Sequence, residues 1–288
     1  MELIVMEWLN QMNAALAYLE AHLEDDLDYN RMAQLAGCSP YHFQRIFSYL
    51  AGMPLSEYLR RRRMSKAAFD LQQGQKVLDV ALRYGYESPT AFNRAFQSIH
   101  GISPSAARKE GATLRAYPPI SFKIVIRGEV EMDYRIVKKD SFTVLGVGMP
   151  LSKSLEENFM QVPQFWGKIA AEGTLERLLP YMGGEPMGVL GVSACPENDD
   201  WEYYVAVASE APAPEGLQQW QIPACTWAVF AGHGPMPNAI QELQKRIITE
   251  WLPSSGYQYA NAPDLEVYLD ANPADAAFEI WLPVEKQA

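Results

Sequence analysis

Two short stretches near the C-terminus set acids and aromatic rings at alternate positions. In AFEIWLP, Phe278, Ile280 and Leu282 point one way and Glu279 and Trp281 the other, because successive strand residues face opposite sides. In LEVYLD, Leu265, Val267 and Leu269 share one side, and Glu266 and Tyr268 the other. Paired as a hairpin with the apolar trios together, these strands converge two carboxylates and two rings on one face. Rings attract a cation through their π faces and carboxylates compensate its charge, so such a face suits a lipophilic cation. An ordinary exposed sheet face of amphipathic residues is the alternative, and these residues alone leave it open. Tyr203, Tyr204, Trp201 and Trp227 are possible further walls. A one-residue change of register swaps which of Tyr203 and Tyr204 points inward.

A second chemistry is written twice in the first third of the chain. In VLDVALRYGY, Val77, Val80, Ala81 and Tyr84 recur at helical spacing, and Gly85 ends the helix. Ser88 offers an N-cap oxygen and Pro89 suits the first turn of the next helix. There Ala91, Phe92, Ala95, Phe96 and Ile99 form an apolar stripe, leaving Thr90, Asn93, Arg94 and Gln97 outside. Residues 30–50 repeat the plan, with Gly37 at the turn, Ser39 as cap and Pro40 after it. Phe43, Ile46, Phe47 and Leu50 face inward there, leaving Tyr41, His42, Gln44 and Arg45 outside. Two helices on a tight turn make a helix-turn-helix, and outer faces of this kind reach base edges and phosphates in a major groove. A lone histidine such as His42 more often satisfies a backbone group or a neighbouring acid. Residues 54–73 read as a long helix joining the motifs and setting their separation, which must be about 34 Å to read one face of a duplex. Its Arg60, Arg61, Arg62 and Arg63 point in different directions, so we expect at least one to be buried or paired and one or two to lie near phosphate.

The net charge of −11 opposes DNA binding until it is divided along the chain. Residues 30–110 hold twelve Lys and Arg against five acids, a local +7, while residues 1–29 hold seven acids and no base. Salt screens the distant negative charge over about 8–10 Å. The chain is 48% hydrophobic with no run long enough for a membrane span, and MELIVMEWLN carries acids where a signal peptide has bases. These features lead us to expect a cytoplasmic protein with no membrane partner. Cys38, Cys195 and Cys225 suggest reduced thiols, and the four histidines have no ligand spacing, so neither a metal nor a cofactor is expected. No nucleophile triad or phosphate loop is evident.

Residues 6–24 form an amphipathic helix, and residues 111–119 end in Pro118-Pro119 and read as a linker. Beyond it, ISFKIVIRG and YRIVKKDSFTVLGVGMP read as strands, 160–180 as a helix, and GVLGVSA with WEYYVAVASE as a hairpin around the PENDD turn. About eighty residues later CTWAVFAGHGP, a helix from about Pro237 to Leu252 and the LEVYLD/AFEIWLP hairpin repeat that order. The fold class expected is therefore multidomain: an all-α tandem helix-turn-helix part, then an α+β part with a duplicated strand-helix-hairpin in one antiparallel sheet.

GCSPYHFQRIF, GMPLSEYLRRRRM, the GYES and FNRAFQ segments and HGISPSAARK together resemble the AraC/XylS-type DNA-binding domain over roughly residues 5–110. FTVLGVG, IPACTWAVFAGHGP, EWLPSSGYQYANAPDLEVY and FEIWLPV resemble the GyrI-like effector-binding domain over roughly 131–286, and the order of the two resembles the Rob-type arrangement. The resemblance implies a DNA-binding domain at 1–110, a linker and incoming strand at 111–130, and an effector-binding domain at 131–288. It implies base-reading roles for Tyr41, Gln44 and Arg45 and for their counterparts Thr90, Asn93 and Arg94. Pro89 and Ala91 stand where better-known members carry polar residues, which shifts the expected specificity toward the first motif. For the second half it favours the ligand pocket, with Glu279 as central acid beside Trp281, Glu266, Tyr268, Tyr203, Tyr204 and Trp227. The function implied is a ligand-responsive transcription regulator, an activator and not an enzyme, with double-stranded promoter DNA, a small-molecule effector and RNA polymerase as partners. A small-molecule hydrolase using a pocket Glu and a protein-interaction module are the alternatives.

Overall fold

The computed structural model describes residues 2–123, 131–195, 201–270 and 272–287. The PENDD turn and most of ISFKIVIRG lie outside the described residues; 120–123 form no strand, and Phe122 there is buried.

The first part is helical: α1 (Glu2–Ala21), α2 (Tyr29–Leu35), α3 (Pro40–Ala51), α4 (Leu55–Gln72), α5 (Val77–Arg83), α6 (Pro89–His100) and α7 (Pro104–Ala107). The helices α3 and α6 start alike. Ser39 and Ser88 each accept a backbone N–H of the first turn, and Pro40 and Pro89 follow them. The turns before them use Gly37 and Gly85 at φ 67° and 79°, a backbone region that penalises a Cβ. The arginine run of α4 is consumed at home. Arg62 is buried, pairs with Glu20 at 2.6 Å and donates to the Tyr117 carbonyl. Arg60 and Arg61 pair with Glu57, and Arg63 donates to the carbonyls of Leu23 and Asp25.

Two apolar cores form in this part, and they differ in kind. Met64, Leu71, Val80, Phe92 and Phe96 make a core confined to α4–α7 and Leu114. Trp8, Met12, Phe43, Ile46 and Phe47 make a core that runs on into Phe230, Ile248, Trp251 and Ile280 of the second part. The first motif is thus half of a larger packed unit.

The second part is one antiparallel sheet of β1 (Tyr134–Lys139), β2 (Phe142–Pro150), β3 (Val189–Ala194), β4 (Glu202–Ala208), β5 (Gln218–Ile222), β6 (Cys225–Gly234), β7 (Tyr257–Tyr259), β8 (Asp264–Tyr268) and β9 (Ala276–Lys286). The helices α8 (Leu155–Ala171), α9 (Thr174–Leu178) and α10 (Asn238–Arg246) accompany it, and α10 continues through a wider π turn to Trp251. The strand order is β1-β6-β9-β8-β3-β4-β2-β5, with β7 also on β9. The duplication expected from the sequence is present as β2–α8–β3–β4 and β6–α10–β8–β9, meeting at a β3–β8 seam. The leading strands are exchanged: β1 precedes β2 yet pairs with β6, and β5 precedes β6 yet pairs with β2. One sheet face packs on helices through Val205, Phe230, Phe278 and Ile280. The opposite face gathers Val144, Val192, Tyr204, Val229, Leu265 and Trp281 into its own core.

Candidate DNA and effector sites

The outer face of α6 is free. Thr90, Arg94 and Gln97 are exposed and Asn93 is half-buried, while Phe92 and Phe96 are 0% exposed beneath them. Ala91, expected in the apolar stripe, is exposed.

The corresponding face of α3 is covered, which corrects the expectation that it faces solvent. Tyr41, Gln44 and Arg45 are only 8%, 9% and 5% exposed. Within α3 the periodicity holds, since Phe43, Ile46 and Phe47 are core. The cover comes from strands far along the chain. Arg45 Nη1 donates to Asp264 Oδ2 at 2.6 Å, and His42 Nε2 lies 3.2 Å from the same oxygen. The His42 ring stacks on Tyr259 at 3.8 Å, with its Nδ1 2.9 Å from Ser39 Oγ. The Tyr41 ring meets Trp201 edge-on at 5.3 Å and its hydroxyl donates to Ser193. Burial alone would raise the Asp264 carboxyl; His42 and Arg45 outweigh it and hold the carboxyl below its ordinary range. Burial likewise works against the Arg45 charge, and the Asp264 carboxylate outweighs that. Trp201, a possible ligand wall on sequence, belongs to this seam.

The C-terminal acids and rings divide between the two sheet faces. Directly opposed residues in an antiparallel pair share a face, and β8 pairs β9 as Glu266 with Ile280, Val267 with Glu279 and Leu265 with Trp281. Alternation within each strand is as expected, but the apolar trios are on opposite faces. Glu266 and Tyr268 therefore look toward the helices, and Glu279 and Trp281 look away. Glu279, expected beside Glu266, lies on the opposite face and takes Arg135 at 2.8 and 2.9 Å and the Trp281 indole N–H at 2.8 Å. Trp227 lies on that same far side, edge-on to Trp281 at 6.1 Å, and is fully buried.

Glu266 sits instead in a cage of its own. Its Oε2 accepts the hydroxyls of Tyr268 at 2.9 Å and Tyr203 at 3.3 Å, and its Oε1 accepts Gln244 Nε2 at 2.8 Å. Trp166 of α8 donates its indole N–H to the Tyr203 hydroxyl at 2.9 Å and meets the Tyr268 ring edge-on at 5.0 Å. Tyr203 is thus the inward tyrosine, since it pairs with Ser193 and lies on the Glu266 face. Tyr204 points to the far face, stacks on Trp220 at 3.9 Å and donates to Glu202. Burial and the Glu266 charge push both the Tyr203 and Tyr268 phenols well above their ordinary range, so they stay protonated donors. Gly191 stands directly opposite Glu266, and a Cβ there would fall 2.3 Å from the Tyr203 hydroxyl and 3.0 Å from Glu266 Oε2. Among the described residues, no Lys, Arg or His forms an ion pair with Glu266. Asp264 carries a sequence signal that went unused, since it lies two positions before Glu266 and so on the same face. Trp166 and Gln244 carry none, because the helix-to-sheet packing that brings them in is long-range.

Residues 135–284 match the family described as integron-associated effector binding protein, and residues 32–110 match a helix-turn-helix domain family. The transcriptional activator AarP of Providencia stuartii is 42% identical over 94 residues, covering 32% of this chain and 70% of that protein. The transcriptional regulator Rob of Salmonella typhimurium is 33% identical over 160 residues, 52% of this chain and 53% of that protein. The right origin-binding protein of Escherichia coli is 33% identical over 146 residues, 49% of each chain. The chain thus spans about half the length of the last two relatives. Its second half has the helix-backed antiparallel sheet expected of its family, and among the described residues no helix is long and apolar enough to cross a membrane. The chain belongs to the AraC-type helix-turn-helix transcription regulators, in the arrangement that joins this domain to a GyrI-like effector-binding domain.

Proposed function

We propose that the chain binds promoter DNA through its helix-turn-helices and a lipophilic cation at Glu266, and that it is a regulator and not an enzyme. The observation that carries the effector site is the charge balance at Glu266. Its carboxylate is met by three neutral donors and by rings, and by no cation of the described chain. A carboxylate taken partly out of water needs a positive partner, and the Tyr203, Tyr268 and Trp166 rings favour an aromatic or alkylated one. On the DNA side, Thr90 and Arg94 stand exposed on α6 beside the half-buried Asn93, with polar chemistry that reads base edges. The likeness to AarP supports activation, with RNA polymerase as the partner at the promoter.

Calorimetry tests the effector site. Tetraphenylphosphonium is expected to bind the wild-type chain and to weaken about tenfold or more in Glu266→Gln, roughly 1.4 kcal/mol. Glu279→Gln, whose carboxylate is already neutralised by Arg135, is expected to bind it like wild type. Neutral triphenylphosphine oxide should lose little in either variant. Equal losses for the cation and the neutral probe in Glu266→Gln would count against a charge-based site. The hydrolase alternative is tested on the same samples with an ester-bearing cationic probe, which mass spectrometry should recover unaltered.

A further inference from the structure

The two helix-turn-helices are not equally available, and the side chain that makes the difference sits beside the effector cage. Asp264 and Glu266 are both on β8, same side, about 7 Å apart along the strand. One holds Arg45 of α3; the other holds the phenols of the cage. We propose that Asp264 is an intramolecular competitor for DNA, and that effector binding at Glu266 releases α3 from it.

The chemistry of the competition is direct. A carboxylate oxygen 2.6 Å from Arg45 Nη1 offers the guanidinium what a phosphate or a guanine edge offers it, and an arginine cannot serve both. Tyr41 and Gln44, the other candidate readers of α3, are buried by the same seam. In this arrangement α6 alone presents a recognition face.

Two details mark the seam as one made to open. Of the four buried side-chain atoms without a hydrogen-bond partner among the described residues, two, Asp264 Oδ1 and the Tyr259 hydroxyl, lie in this seam, where opening would restore their hydration. A groove of about 510 Å³ lies between the halves, lined by Pro40 and Gln44 of α3 and by Leu155 and Trp201. The coupling path runs along α8. Trp166 closes the cage from its second half, and Leu155, about 16 Å back at the helix start, lines the groove next to α3. A ligand ring placed against Tyr203 and Tyr268 displaces Trp166, shifts α8 and withdraws one wall of the seam. An effector moves the equilibrium only by its preference for the open form, and apparent DNA affinity falls with the fraction that is open. The apolar core shared by α1, α3 and the sheet keeps that fraction small without effector.

This latch presupposes the DNA-binding and effector roles proposed above, and the experiment separates them. A duplex is enriched from a random pool with the full-length chain, once as wild type with tetraphenylphosphonium and once as Asp264→Asn, and its affinity is measured by anisotropy. Asp264→Asn is expected to bind at least about tenfold tighter than wild type without the cation, because the open fraction rises. The cation should strengthen wild type and leave Asp264→Asn unchanged. Asp275→Asn, at an exposed ion pair with His233, serves as control and should match wild type. Hydrogen exchange on the unsubstituted chain gives a second readout: residues 40–51 should exchange faster when tetraphenylphosphonium is added. Equal DNA affinity of wild type and Asp264→Asn, or an α3 whose exchange ignores a bound cation, overturns the latch and leaves DNA binding standing. Failure of both proteins to enrich any duplex overturns the DNA-binding role and the latch with it.

Discussion

The first and second helix-turn-helices are near copies in sequence logic and differ in what their surroundings do with them. Each has a glycine turn, a serine cap, a proline start and a phenylalanine pair beneath the recognition helix. The second closes its own small core and turns Thr90 and Arg94 to solvent. The first shares its core with the sheet and turns Arg45 into a buried ion pair. Local sequence makes each helix; the neighbour decides whether its outer face meets solvent.

The largest expected effects come from the cores. Phe47→Ala and Phe96→Ala should each cost about 3–5 kcal/mol by chemical denaturation. The footprints separate them. Hydrogen exchange should show Phe47→Ala loosening Ile247–Ser254 of the second part as well as α1–α4, while Phe96→Ala loosens only α4–α7. A common footprint would mean that the two motifs are not separate units.

Next come the two arginines. Arg45→Met leaves Asp264 buried without its guanidinium, a change that costs about 3–5 kcal/mol when a buried pair is broken. Removing the carboxylate itself tests the same pair, because acid should erase part of the difference between wild type and Asp264→Asn. The Asp264 carboxyl titrates below its unfolded value, so the pair stabilises fully above about pH 4 and its contribution is lost as pH falls through the lowered folded value. Urea titrations of wild type and Asp264→Asn from pH 6 downward should therefore converge; a constant gap would show that the carboxylate charge is not what the seam uses.

Arg94→Ala is expected to weaken binding of a selected duplex by about 1–3 kcal/mol with or without tetraphenylphosphonium, because α6 is exposed in this structure. Arg45→Ala should weaken only the cation-stimulated part. The smallest effect is on stability: Arg94→Ala should change unfolding free energy by less than about 0.5 kcal/mol, as exposed substitutions do.

What could be read from the sequence follows what is local. Helix caps, glycine turns and the alternation inside LEVYLD and AFEIWLP depend on neighbours a few residues away, and each is in place. The duplicated strand-helix-hairpin was legible because a repeat is a pattern within the chain. The expectation that Glu279 and Glu266 share a face fails at one step only, the register between β8 and β9. Period-two patterns give each strand two faces but do not say which face of one meets which face of the other, so Glu279 and Glu266 were placed together. The covering of Tyr41, Gln44 and Arg45 was out of reach for a stronger reason. A polar recognition face looks the same whether it awaits DNA or a carboxylate more than two hundred residues away.

The Gly191–Glu266 pair at the β3–β8 seam bears on stoichiometry. The two repeats meet there about an approximate two-fold axis, so these opposed residues occupy equivalent places. In an assembly of two identical half-chains both places would hold the same residue. Two glutamates would set like charges face to face, and two glycines would leave no charge at all. One acid opposite one hydrogen atom is open only to halves joined in a single chain, where each is free to differ. Joining the halves therefore leaves one carboxylate at this seam in each chain, and one cation per chain is the ratio that calorimetry with tetraphenylphosphonium should return.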